Sequence, residues 1–206
     1  MQTARSAVPV VAVLALLVGI AAGAWAIWGD GSRIDYASEV VSTPDPTPRL
    51  PYLETEDPLV DPPGDIAFAK TGRRDAFEHR TLLSSEEFAI AGAVGVAKID
   101  ARVTRQPDGT VLGVWRFTLR DGADPFIALD EFDGLYKRGN HQLIPSSPDV
   151  LLRRFLNEDQ SAVYHAHYVR KRDVLRVDGY GPNATKAVAE LLDRQLAHAP
   201  AEAPPE

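Results

Sequence analysis

The sequence predicts an α+β domain, with an antiparallel sheet of about five strands and two helices packed on one face, after an N-terminal transmembrane helix. Three observations lead to this prediction. Residues 7–28 form an unbroken apolar run, residues 97–119 alternate apolar and polar side chains around a central turn, and two later segments repeat apolar residues at helical spacing. Consecutive antiparallel strands followed by amphipathic helices are typical of a layered α+β domain.

The first element is the apolar run of 22 residues at positions 7–28, which contains no charged side chain. A helix needs about 20 apolar residues to cross a bilayer, and lipid cannot hydrogen-bond an open backbone. Trp25 and Trp28 stand at the far end of the run, where amphipathic indoles favour the headgroup layer. We therefore predict that residues 1–29 form a cytoplasmic stub and a transmembrane anchor.

The charges that flank the anchor predict its orientation. Arg5 and the amino group precede it, and positive charge on a short flank stays in the cytoplasm. The expected location is therefore the plasma membrane, with a single span, a cytoplasmic N-terminus and an extracellular C-terminal domain. The alternative is secretion after cleavage near Ala26, because residues 24–26 read Ala-Trp-Ala, an A-x-A site. The length of the run favours the retained anchor.

Composition divides the exported part into a linker, a domain and a tail. Residues 30–65 hold seven prolines and nine acids against two arginines, which favours an extended acidic linker. The apolar residues able to dock locally are Leu50, Tyr52, Leu53, Leu59 and Val60. Residues 66–199 hold 19 bases and 18 acids, and this balance gives no support for nucleic-acid binding. Residues 200–206 are expected to be a disordered tail. The chain has no cysteine, which excludes disulfides, thiolate catalysis and a lipoprotein anchor.

The clearest element of the domain is a β-hairpin. Residues 97–103 and 111–119 alternate apolar and polar side chains, as half-buried strands do. Between them, Pro107 presets a turn and Gly109 accepts a positive φ. Trp115 and Phe117 are expected to supply a large share of the buried apolar area.

Two helices and further strands follow. The first helix is capped by Asp124, has Pro125 at its first position and closes at Gly139. The second runs from Asn183 to about Ala197, with its apolar residues on one face.

The remaining strands are predicted at 150–156, 161–170 and 174–180, and the last two form a second hairpin. An additional strand is predicted over 77–83. The Ala/Gly-rich stretch after Phe88 stays open between a loop and a lead-in to the first hairpin.

The sequence Tyr-His-Ala-His-Tyr at 164–168 is the best candidate for chemistry. In a strand, His165 and His167 project to the same face, a spacing that can chelate a metal. A site needs a third ligand, and nothing in the sequence places one nearby; the candidates are His79, His141, Asp178 and Glu78. We therefore predict no metal and no cofactor, with both histidines on the solvent face and the two tyrosines packing the other.

No catalytic residue is predicted. The acids around the first predicted helix are explained by helix-dipole complementarity and solvation. The chain contains no phosphate-binding loop, zinc-protease motif, EF-hand loop or dinucleotide fingerprint.

The candidate binding residues are Arg116, His165, His167 and Tyr180. Arg116 belongs to a set of basic residues on the predicted strands, which would form a patch for anionic lipid headgroups or wall polymers if several shared an open sheet face. The alternative is a solvated face with cross-strand ion pairs. Tyr180 lies at a strand-to-helix turn, where an exposed aromatic side chain can contact a ligand or pack.

The segments VWRFTLRDGADPFIALDEF and YHAHYVRKRDVLRVDGYGPN, with the anchor and the terminal helix, resemble uncharacterised single-pass membrane proteins of high-GC Gram-positive bacteria. The resemblance covers the anchor and residues 66–198. It implies a location and an architecture, and it carries no activity or functional residue.

The expected function is therefore that of a membrane-tethered extracytoplasmic module that binds or senses a ligand without catalysis. Its expected partners are the membrane, through residues 7–28, and an envelope protein or an anionic envelope component. The alternatives are a metal-dependent envelope hydrolase and a structural subunit of a membrane assembly.

Overall fold

The computed structural model describes residues 57–78, 82–158 and 161–205. The predicted anchor and residues 30–56 of the predicted linker lie outside these residues. No helix in the described ranges has the length and apolar character needed to cross a membrane.

The described residues form one seven-stranded antiparallel sheet. The strands in chain order are β1 (Asp65–Arg73), β2 (Val96–Arg105), β3 (Val111–Leu119), β4 (Gln142–Ile144), β5 (Leu151–Leu156), β6 (Ala162–Arg170) and β7 (Asp173–Gly181). Their order in the sheet is β1-β2-β3-β7-β6-β5-β4. The pairing of β3 with β7 joins the N-terminal hairpin to the C-terminal one at the centre of the sheet.

Three helices cover the two faces of this sheet: α1 (Ser85–Ala93), α2 (Pro125–Arg138) and α3 (Ala184–His198). Helices α1 and α2 pack on one face, which we call the α1/α2 face, together with the 3-10 turn Arg74–Phe77. Helix α3 packs on the opposite face, which we call the α3 face. The alternation of β3 shows the division, because Trp115 and Phe117 lie in the first core and Leu112 and Val114 in the second.

The α+β class is confirmed, but the predicted arrangement of two helices on one face of about five strands is wrong. The sheet has seven strands, and both of its faces are covered. The prediction missed α1 because its sequence, SEEFAIAGA, is apolar almost all round and shows no amphipathic stripe. The predicted strand at 77–83 is also wrong, because Phe77 ends the 3-10 turn and Leu82 and Leu83 lie in a turn before α1.

The elements with strong local signals form as predicted. The Gly109 N–H donates to the carbonyl of Gln106 at 3.0 Å, and Gly109 has φ of 87° in the turn between β2 and β3. Asp124 accepts hydrogen bonds from the N–H groups of Phe126 and Ile127 at the start of α2. A matched turn and a satisfied helix end need only neighbouring residues, which explains why the sequence reveals them.

The folded unit extends beyond both predicted domain boundaries. Leu59 is buried in the α3-face core, and the Val60 N–H donates to Oε1 of Gln195 at 3.0 Å. The Gln195 amide nitrogen donates to the Pro58 carbonyl at 2.7 Å. At the other end, the Glu202 N–H donates to the Val169 carbonyl at 2.9 Å. Residues 57–65 of the predicted linker and the start of the predicted tail therefore belong to the folded unit.

Candidate ligand-binding cavity

A cavity of about 670 Å³ opens on the α1/α2 face. Its floor is one row of the sheet, in which Val103, Gly113, Asp178 and His165 face one another across β2, β3, β7 and β6. The first turn of α1 and the last turn of α2 contribute its walls. The volume lies within the range of about 300–1,000 Å³ that small-molecule sites occupy.

Arg176 lies beneath the cavity as a buried cation. Its side chain is 2 % exposed, and its Nη1 donates to Oε1 of Glu87 at 2.6 Å and to the Tyr136 hydroxyl at 3.0 Å. Its Nε lies 2.8 Å from Oδ2 of Asp178, at an angle that departs from a hydrogen bond. The guanidinium carbon is 4.6 Å from the centre of the Trp115 ring. The cation is thus compensated by two carboxylates and an aromatic face.

The partners of Arg176 have strongly shifted proton equilibria. Burial by itself raises the pKa of Glu87, but the charge of Arg176 and hydrogen bonds from Tyr136 and Ser84 outweigh it and lower the pKa from 4.5 to about 2. Burial raises the pKa of Tyr136 well above its ordinary value, so that the hydroxyl stays protonated and donates to Oε1 of Glu87 at 2.5 Å. Perturbed groups of this kind concentrate at functional sites.

His165 and Asp178 form a second polar pair on the floor. The Nδ1 atom of His165 lies 2.7 Å from Oδ1 of Asp178, and the Tyr136 ring stacks on the imidazole with centroids 4.0 Å apart. The other ring nitrogen of His165 has no hydrogen-bond partner among the described residues. The carboxylate orients the imidazole, which leaves Nε2 available at the cavity floor.

Trp115, which also lines the cavity, contributes a hydrogen-bond donor. Its indole N–H is buried and has no hydrogen-bond partner in the described part of the chain. The indole nitrogen lies 3.0 Å from the position that a β-carbon on Gly113 would occupy, and the β-carbon of Asp178 lies 3.7 Å from that position. The absence of a side chain at Gly113 therefore leaves room beside the indole nitrogen and the base of the Asp178 side chain.

The rim of the cavity combines aromatic and charged side chains. Tyr180, at the end of β7, is 50 % exposed and borders the opening. Glu86 on α1 and Arg138 on α2 also line it, and Arg138 has no carboxylate partner in the described ranges. His141 follows α2, and burial together with the charge of His165 lowers its pKa.

The structure places the four predicted site residues in three environments. His165 and Tyr180 both line the cavity. His167 is on the same face but fully buried, one row deeper, where its ring stacks on that of Phe132. Arg116 points to the α3 face, and its Nε donates to Oδ2 of Asp173 at 2.7 Å. The cavity therefore brings together two of the four.

The prediction that both histidines lie on the solvent face is wrong for His167, and the hypothesis of an open basic face is also wrong. Both faces of the sheet carry helices, so that His167 is fully buried, while His165 is only partly buried and borders the cavity. Five of the basic residues considered for the patch are paired with acids instead, namely Arg102, Arg116, Arg153, Arg172 and Arg176. The cross-strand ion pairs of the alternative describe the Arg116–Asp173 pair, whereas Arg102, Arg153 and Arg176 pair with acids of the N-terminal segment, α2 and α1.

His167 is fully buried, and the described residues around it do not complete a metal site. Burial, followed by the charge of Arg176, lowers the pKa of His167 well below its ordinary value, and neither ring nitrogen has a hydrogen-bond partner among the described residues. Within the described ranges, no three metal-ligating side chains come together. His79 lies outside these ranges.

Four site residues were not predicted as binding residues, since Trp115 and Glu87 were not singled out for binding, Arg176 belonged only to the set of basic strand residues and Asp178 was only a candidate third metal ligand. A signal for two of them was present, because alternation along β7 puts Arg176, Asp178 and Tyr180 on one face. Glu87 comes from α1, a helix that the sequence did not predict, and its approach depends on the tertiary fold.

No family model and no curated protein matches this chain. Among solved structures, the extracellular domain of PknH from Mycobacterium tuberculosis is similar with a TM-score of 0.37 and 11 % identity, over 66 % of this chain and 81 % of that chain. A similarity of this size carries no inference about function.

Proposed function

We propose that the folded unit is a non-catalytic module that binds a small ligand in the cavity on the α1/α2 face. The observation that carries the proposal is the buried indole N–H of Trp115, a residue that lines the cavity, because this N–H has no partner among the described residues. A buried donor without a partner is unfavourable by roughly 1–3 kcal/mol, and a ligand acceptor would remove that penalty. The surrounding ion pairs hold the floor in place before a ligand arrives.

We also propose that this module is exported and tethered by residues 7–28. The apolar run, its flanking charges and the acidic, proline-rich segment before residue 57 support this arrangement. In such a protein the cavity would meet molecules of the cell envelope. A binding site without a catalytic motif fits a sensing or capture role there.

Fluorescence of the full-length chain tests ligand binding. The chain has three tryptophans, so replacing Trp25 and Trp28 with phenylalanine leaves Trp115 as the single reporter on the cavity floor. We expect a saturable change in its emission when a library of small polar compounds is screened in phosphatidylcholine nanodiscs. The absence of any saturable ligand, in a library that includes saccharides, peptides, lipids and charged metabolites, would contradict the proposal.

Labelling with a membrane-impermeant maleimide tests export, because the chain has no cysteine of its own. A single cysteine replacing Glu158, an exposed residue after β5, is expected to react in intact cells. A cysteine replacing Thr3 is expected to react only after lysis. Labelling of both or of neither in intact cells would contradict the proposed orientation.

A further inference from the structure

We infer that the cavity takes a neutral, polyhydroxylated ligand, that is, a saccharide. This inference rests on the proposed function and adds the chemical class of the ligand. It comes from the charge balance of the cavity, from the placement of donors and acceptors on its floor, and from the apolar and aromatic groups at its opening.

The charge balance disfavours an ionic ligand. The cations at the cavity are Arg176 and Arg138, and the carboxylates are Glu86, Glu87 and Asp178. Arg176 is already compensated by Glu87 and Asp178, so it offers little free charge to an incoming anion. Glu86 and Arg138 stand at the rim with opposite signs. A ligand with a large net charge would therefore lose its hydration without a matching partner.

The floor places a donor close to the side chain of Asp178. The Trp115 indole nitrogen and the Asp178 β-carbon lie 3.0 and 3.7 Å from the same point, the vacant β-carbon position of Gly113. A hydroxyl group both donates and accepts through one oxygen, so it suits a floor that offers the indole donor and the Asp178 carboxylate, whose oxygens also contact His165 and Arg176. His165 pairs with Asp178 in the same row, and its second ring nitrogen has no hydrogen-bond partner among the described residues, so it is a further group that a hydroxyl can contact.

The opening of the cavity suits the apolar face of a sugar ring. Tyr180 and Val163 pair across β7 and β6, and Val111 faces Tyr180 from β3, so an aromatic ring stands between two aliphatic side chains. All three residues line the cavity. An aromatic side chain that presents its apolar body at a polar site contributes both contact area and orientation.

Titration of defined probes tests the inference. The full-length chain with Trp25 and Trp28 replaced by phenylalanine is placed in phosphatidylcholine nanodiscs, and Trp115 emission is followed. The neutral saccharide probes are chitotriose and maltotriose. The comparison probes are glucose 6-phosphate as an anion, glucosamine as a cation, N-acetyl-trialanine amide as a neutral peptide and decanol as an apolar molecule.

We expect saturable binding of at least one neutral saccharide, with weaker or no binding of the comparison probes. Gly113→Leu fills the floor and is expected to weaken binding by at least about tenfold, while Gly72→Ala, a strand glycine with ordinary space around it, keeps the affinity. Tyr180→Ala is expected to weaken binding by about tenfold, and Leu156→Ala, at a similar exposure of 46 %, is its matched control. Because Tyr180 is half exposed, its variant tests the site without disturbing the core.

Two results would overturn the inference. Binding of the anion, the cation, the peptide or decanol in preference to both saccharides would assign another ligand class and leave the binding module itself supported. Saccharide binding that survives both Gly113→Leu and Tyr180→Ala would place the sugar elsewhere on the molecule. Failure of every probe and of the broader library would contradict the proposed function as well.

Discussion

The two faces of the sheet differ in the polar and charged groups that lie beneath their helices. Beneath α3 the core is mainly apolar, and the buried Gln195 finds partners in the Tyr168 hydroxyl and the Pro58 carbonyl, while Thr118 Oγ1 and Arg154 Nε on this face have no partner among the described residues. Beneath α1 and α2, a cation, two carboxylates and a neutral histidine are buried together, and the Trp115 N–H has no partner among the described residues. The two faces thus differ mainly in charge, because the ion pairs of Arg176 with Glu87 and Asp178 lie beside the cavity, and this charge is what the proposed binding site would use.

Removing the central cation should have the largest effect on stability. Arg176→Met leaves Glu87 and Asp178 buried without their common partner, and breaking a buried pair destabilises by roughly 3–5 kcal/mol. Urea unfolding measures the loss. Arg172→Met is the matched control, because the Arg172–Asp121 pair is exposed and should contribute less than about 1 kcal/mol. Equal losses of unfolding free energy in both variants would show that Arg176 contributes no more to stability than an arginine in an exposed pair.

Truncating the α3 core should reduce stability without reducing ligand binding. Leu191 is buried beneath α3, and Leu→Ala at such sites costs roughly 2–5 kcal/mol. Glu190→Ala, one residue earlier on the exposed side of α3, should change stability by less than about 0.5 kcal/mol. Loss of the Trp115 fluorescence response in a folded Leu191→Ala protein would show that the two faces are coupled.

Lowering the pH should reduce the free energy of unfolding, because Glu87 on the α1/α2 face becomes protonated. Its pKa is about 2 in the folded protein and 4.5 in its ordinary state, so its contribution is complete above pH 4.5 and is lost as the pH falls towards 2. A shift of this size corresponds to about 3 kcal/mol of folding free energy. Unfolding curves at intervals from pH 6 to pH 2 measure the slope, and Glu87→Gln should flatten it. An unchanged slope in the variant would exclude Glu87 as its source.

Replacing the buried histidine should have the smallest effect at neutral pH. His167→Leu removes two ring nitrogens that have no partners among the described residues, so stability at pH 7.5 should stay level or rise by about 1 kcal/mol. The pKa of His167 is lowered in the folded protein, so wild-type stability should fall as the pH drops below about 6.5.

One experiment measures both the effect of His167 on stability at neutral pH and its effect on acid sensitivity. Urea unfolding at pH 7.5 and pH 5.5 should show less acid sensitivity in His167→Leu than in the wild type. His198→Leu, at the exposed end of α3, keeps His167 in place and should retain the wild-type sensitivity. A destabilisation of several kcal/mol by His167→Leu at pH 7.5 would show that the imidazole makes a favourable interaction there.

The sequence predicted the elements whose causes are local. Alternation and a Pro-Asp-Gly turn predicted the first hairpin, and Asp124 with Pro125 predicted the start of α2. It failed where the cause is long-range. The burial of His167 depends on α2 lying over β6, and the contact of Glu87 with Arg176 spans 89 positions of the chain. Alternation within a strand tells which residues share a face, but not which face a helix will cover.

The hydrogen bonds of Gln195 with Val60 and Pro58, which we call the clasp between residues 57–60 and Gln195, have a mechanical consequence. Arg102 reinforces the clasp through contacts with Asp57, Asp61 and the Leu59 carbonyl. In a chain anchored through residues 7–28, a force transmitted from the membrane would reach the folded unit first at this clasp. The clasp attaches residues 57–60 to Gln195 of α3 and to Arg102 of β2. The outermost strand β1, which is held by β2 on one side only, would be shielded from peeling. The force would then enter the molecule on the α3 face, opposite the face that carries the cavity.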